Sequence, residues 1–172
     1  MQSLKKLSGI SQKNKPGSLV KIRGIVKPQE QVFSVARIID ANLNRSKEGL
    51  RVCEEITRFI LDSHKITSQL KAIRHEIDAL SRSIYPAARL ISQRSVLTDV
   101  GRCNSSGELK RANCKDIFQA NIQRVKESLR VLEEFSKLID SKGALGFKRL
   151  RYKVYEIEKK SFKKVSAISN FR

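Results

Sequence analysis

ANLNRSKEGLRVCEE at residues 41–55 returns as ANIQRVKESLRVLEE at residues 120–134, and this doubling organises the rest of the chain. Asn, Arg, Lys, Glu, Leu-Arg-Val and Glu-Glu keep their register at an offset of 79 residues. The kept positions are largely polar, which core packing alone rarely requires. A second pair of segments extends the repeat: LKAIRH from Leu70 matches FKRLRY from Phe147 at an offset of 77. Lys71 then pairs with Lys148 and Arg74 with Arg151, while Leu70, Ile73, Ile77 and Leu80 pair with Phe147, Leu150, Val154 and Ile157. Two copies are too few for a solenoid, which needs about three stacked units. The expected fold is all-α, a helical bundle of two repeated helix hairpins related by a pseudo-twofold axis, in which residues 38–80 superpose on 117–157.

Composition agrees with a helical domain. Among 172 residues there are only 8 Gly and 3 Pro while 31% are charged, which disfavours a turn-rich β architecture. No run approaches the roughly 18 apolar residues of a membrane span, and the first residues lack the apolar core of a secretory signal. Cys53, Cys103 and Cys114 show no metal-ligand spacing and point to a reducing compartment, so a cytoplasmic location is expected. The net charge of +19 is concentrated at the ends: residues 1–30 carry +6 and residues 141–172 carry +8, leaving +5 for the domain between. Basic ends of this kind solubilise or attract polyanions weakly, and no specific nucleic-acid function or membrane partner is expected from them.

Along the chain, residues 1–33 read as a basic, flexible arm around KNKPGS, with Val20 to Val26 as a short strand at most. Residues 34–162 read as the helical domain and 163–172 as a basic tail. Within the domain, a first helix is expected over about 34–62, its apolar face formed by Val35, Ile39, Leu43, Leu50, Cys53 and Ile60. A second spans about 66–84, limited by Pro86, and a short helical piece follows through Leu90. Residues 94–112 form a long loop, of the kind that is usually functional. The third helix spans about 115–139, Lys142-Gly143 breaks the chain, and the fourth spans about 145–162.

Asn42 and Asn121 fall near the middle of the apolar arcs of the first and third helices. A buried amide needs partners for oxygen and nitrogen, so the pair either fixes helix register or reaches a ligand between the repeats. Arg45 and Arg124 lie about one turn on, with small residues, Gly49 and Ser128, beside them. Arg74 and Arg151 flank the apolar seam of the second and fourth helices, and Lys71 and Lys148 lie a step outward. Four convergent guanidinium groups would need an anion, and their planar forks suit phosphate. Glu48 and Glu127 share the side of Arg45 and Arg124, whereas Glu54, Glu55, Glu133 and Glu134 fall further out, with Arg51–Glu55 and Arg130–Glu134 as i,i+4 surface pairs. Asp99 in the loop is either a turn residue or, in a phosphate site, a ligand for Mg²⁺. No G-x-x-x-x-G-K-[ST] or G-x-G-x-x-G motif occurs, and His64 and His75 form no ligand cluster.

RIIDANLNRSKEGLRVCEEITRFILD, LKAIRH, the R-x4-DVG run from Arg94 to Gly101 and the second AN-x2-R-x2-E-x-LRVLEE resemble an all-α family of hydroxymethylpyrimidine-phosphate kinases of thiamine biosynthesis. The similarity covers about residues 34–160, and members are often fused to the N-terminal side of thiamine-phosphate synthase. The resemblance implies an ATP- and Mg²⁺-dependent phosphotransferase that converts 4-amino-5-hydroxymethyl-2-methylpyrimidine phosphate to the diphosphate. It also implies a small phosphorylated pyrimidine as ligand and thiamine-phosphate synthase as a partner, with a homo-oligomer allowed. On that basis Arg45, Arg124 and Asp99 are the expected catalytic residues, and Asn42, Asn121, Arg74, Arg94, Lys71 and Arg151 the expected contacts to substrate or ATP. Asp99, Glu48 and Glu127 are the expected metal ligands. Arg102 stands where members commonly carry Thr, and the basic arm has no counterpart in the family. Two other readings stay open: a metabolite-binding or regulatory module acting with the synthase, and an RNA-associated helical protein.

Overall fold

The computed structural model describes residues 28–94, 99 and 111–168, with the side chains of 28–33 left aside. The expected arm, the Val20 to Val26 segment, most of the loop after Arg94 and the end of the tail therefore lie outside the described residues. All the described elements are helices, so the all-α expectation holds: α1 (Pro28–Phe59), α2 (His64–Ile84), α3 (Ala87–Ser92), α4 (Cys114–Ser136) and α5 (Ser141–Ala167). No helix among them is long and apolar enough to cross a membrane.

The ends of the helices follow local chemistry. α1 stops before Asp62, whose φ of 44° is a left-handed conformation that Asp tolerates, and Ser63 then opens α2 after a tight connection. Asn113 caps α4 by accepting from Asp116 N at 3.0 Å. The expected break at Lys142-Gly143 is one turn early instead: Asp140 caps α5 and accepts from Lys142 N and Gly143 N at 2.9 Å each, so those two residues form the first turn. At its other end α5 continues past the expected stop at Phe162, because Val165 and Ile168 are buried in the core.

Around the bundle the order is α1, α2, α5, α4, each packed on its neighbours, and α3 lies on α1. Leu50, Leu70, Ile77, Val125, Leu129 and Phe147 are fully buried at the centre. Ile60, expected on the inner face of the first helix, is exposed past the end of α1, and Ile56 takes the inner position. α1 and α4 run antiparallel, since Cys53 Sγ lies 3.7 Å from Phe118 O while Asn42 shares a cleft with Ser128. They approach closely at Gly49, where a Cβ would sit 2.8 Å from Val125 Cγ2 and 2.9 Å from Asn121 O. The small residue at 49 therefore admits the neighbouring helix; the space it leaves is not room for a ligand. Cys53 lies beneath this contact, and burial pushes its thiol well above the ordinary range, as suits a core filler.

Many contacts recur at repeat positions. Arg74 pairs with Glu54 and Arg151 with Glu133, and both Asn42 and Asn121 donate to the carbonyl four residues back. The contact of Thr57 does not recur. Thr57 Oγ1 lies 2.9 Å from Thr67 Oγ1, but the corresponding residues are Ser136 and Ala144, and Ser136 Oγ is buried without a partner. A buried hydroxyl left unpaired costs about 1–3 kcal/mol. Ser136→Ala should thus leave stability to urea unchanged or raise it, whereas Thr57→Ala should lower it by about 1 kcal/mol. A loss from Ser136→Ala as large as that from Thr57→Ala would show that Ser136 has a partner after all.

Candidate active site

Successive turns of α1 and α4 line a cleft of about 300 Å³ with Asn42, Arg45, Arg124, Glu127, Ser128 and Val131. Arg45 and Arg124, one from each repeat, face this cleft and are exposed. Among the described residues neither has a hydrogen bond or ion pair. The other repeated arginines do: Arg51 and Arg130 meet glutamates one turn on, and Arg74 and Arg151 meet buried ones. Asn42 is buried, with Nδ2 donating to Ile38 O at 2.8 Å, which leaves its oxygen as the group to present to the cleft. Asn121 Nδ2 makes the same bond to Ile117 O, but Asn121 is only half-buried and does not line this cleft.

A second cleft, of about 340 Å³, runs along α1 beside α3 and is lined by Arg37, Asp40, Ala41, Asn44, Glu48, Arg94 and Asp99. Arg94, expected to bind phosphate, instead donates through Nε at 2.7 Å and Nη2 at 2.9 Å to both oxygens of Asp40. The Asp40 carboxylate raises Arg94 above the usual guanidinium range. This fork ties the segment after α3 to the middle of α1. Asp40 escaped the sequence reading because its repeat position is Gln119, so comparing the copies discards it. A carboxylate between Ile39 and Leu43 on a buried face was the available signal.

The three expected metal carboxylates are not brought together. Asp99 and Glu48 share the α1–α3 cleft, and Asp99 lies 3.9 Å from Arg37. Glu127 lines the α1–α4 cleft and accepts from Gln123 Nε2 at 2.7 Å. No group of three His, Cys, Asp or Glu able to hold an ion occurs among the described residues. Two carboxylates on one cleft wall still match the one or two that Mg²⁺ takes beside phosphate oxygens.

The expected convergence of four arginines is corrected to two. Glu54 and Glu133 lie inside the bundle and not further out, at 4% and 5% exposure, and they engage Arg74 and Arg151 from α2 and α5. Side-chain hydrogen bonding to these glutamates raises both guanidinium groups above their ordinary range. Lys71 lines the α1–α2 cleft beside Arg74, whereas Lys148 lines a separate groove between α2 and α5. Helical phase placed these cations correctly on their own helices; what it omitted was the carboxylate waiting on the neighbour.

Residues 37–160 match the model of the ThiD2 family. The chain is 40% identical over 131 residues to the thiamine-phosphate synthase of Synechocystis sp., covering 76% of this chain and 37% of that protein. It is 38% identical over 123 residues to that of Rhodopirellula baltica, covering 71% and 32%. The chain thus spans about a third of the length of the curated relatives it matches. No solved structure matches it.

Proposed function

This chain belongs to the ThiD2 family, and on that premise we propose that it serves thiamine biosynthesis as a kinase, moving the γ-phosphoryl group of ATP onto 4-amino-5-hydroxymethyl-2-methylpyrimidine phosphate. The single observation that carries this reading is the Arg45–Arg124 pair, the two repeated arginines without a protein partner among the described residues, set together in one cleft. An acceptor phosphate oxygen forms the new bond to Pγ as the bond from Pγ to the β-bridging oxygen breaks, and ADP leaves. The nucleophile is already anionic, so no general base is needed. What the protein must supply is alignment of two polyanions and neutralisation of their charge. Arg45 and Arg124 give forked donors to the transferring and accepting phosphates, and the Asn42 oxygen orients the ligand between them. Asp99 and Glu48 would hold Mg²⁺, and the chemistry it would supply is neutralisation of phosphate charge. Arg94 acts through Asp40, tying the end of α3 to α1.

The coverage of about a third of longer synthases supports a second reading, in which the domain only binds the pyrimidine phosphate and works beside a synthase. Purified chain with ATP, Mg²⁺ and the pyrimidine phosphate separates the two: the kinase reading expects stoichiometric ADP and a new diphosphate signal in phosphorus NMR. Saturable binding of the pyrimidine phosphate with no ADP formed would leave the module reading standing alone.

A further inference from the structure

The two repeats differ beside the arginine pair. At the offset of 79, Asn44 and Glu48 correspond to Gln123 and Glu127, the same amide and carboxylate four residues apart on a helix. In the second repeat the longer amide closes on its carboxylate, Gln123 Nε2 to Glu127 Oε1 at 2.7 Å. In the first repeat neither Asn44 nor Glu48 has a hydrogen bond or ion pair among the described residues, and both line the α1–α3 cleft. The wall of that cleft is anchored by Asp40 and Arg94, and the second repeat has Gln119 in place of Asp40.

A carboxamide offers an acceptor beside a donor and suits a flat edge with a donor beside an acceptor, as Asn does for the amino group and ring nitrogen of adenine in DNA. We infer that Asn44 reads an aminopyrimidine edge, its oxygen accepting from the exocyclic amine and its NH₂ donating to the adjacent ring nitrogen. This rests on the kinase reading above, and it makes the site one-sided. The ring enters on the first-repeat side, in the cleft that Asn44 shares with Glu48. Two ligands of the reaction carry such an edge, the acceptor pyrimidine and the adenine of ATP.

Titration calorimetry on the full chain tests this with three probes: the pyrimidine phosphate, a non-hydrolysable ATP analogue and inorganic pyrophosphate. Asn44→Leu removes both polar groups at similar volume. It should weaken one aminopyrimidine probe by about tenfold to a hundredfold and leave pyrophosphate unchanged. The probe that weakens identifies the ring. Gln123→Leu should change none of the three. Wild-type binding of both ring probes with an indifferent Asn44→Leu, or an equal loss from Gln123→Leu, overturns the inference alone. If the wild-type chain binds neither ring probe, the kinase reading falls and takes the inference with it. Should Asn44→Leu lose its helical circular dichroism, Asn44→Gln carries the same expectation, because the longer amide should close on Glu48.

Discussion

Arg45→Ala and Arg124→Ala should each lower turnover of the pyrimidine phosphate by about 10² or more, with helical content and melting temperature unchanged. Both side chains are exposed, and among the described residues neither makes a hydrogen bond or ion pair that truncation would break. Their whole contribution is then to a bound anion, where each removes two aimed N–H donors and a full charge from the transferring group. Arg51→Ala and Arg130→Ala are the matched comparison, repeated just as faithfully but paired with glutamates on their own helices. These should cost little turnover. Equal losses from both sets would mean that repetition had been mistaken for a site, and full activity in the Arg45 and Arg124 variants would remove the site assignment.

Arg74→Ala and Arg151→Ala should act on the fold, lowering stability by about 3 kcal/mol each. Glu54 and Glu133 have side chains only 5% and 6% exposed, and losing the partner leaves a buried carboxylate with one weaker cation, Arg51 or Arg130. That remaining cation keeps the estimate at the low end of the range for broken buried pairs. A domain of this size has about 5–15 kcal/mol in all, so the urea midpoint should fall visibly. Replacing Glu54 and Arg74 together by apolar residues of similar volume should recover most of the loss. If Arg74→Ala instead keeps its midpoint and loses turnover as Arg45→Ala does, then Arg74 belongs to the site as first expected.

The two pairs differ in a way that no helical wheel contains. Arg45 and Arg74 both fall at the margin of an apolar arc, and from the sequence both look ready for phosphate. The wheel gives each side chain its direction on its own helix. It carries no information about what the facing helix offers at the same height. That depends on the register of α2 against α1, which is set by Leu70, Ile73 and Ile77 seating in the core. In that register Glu54 arrives opposite Arg74, whereas among the described residues no carboxylate pairs with Arg45.

The helical class, the self-similarity of the two segments and the polar residues worth testing are legible in the order of the residues, because they rest on periods of about 3.6 residues and on recurrence along the chain. The folded bundle alone brings Gly49 into helix contact, Asp40 onto Arg94, and Glu127 into a cleft apart from Asp99. Each of these turns on which groups meet between segments distant in the chain. Distances of that kind are fixed by the packing of the whole bundle and by no single segment of it.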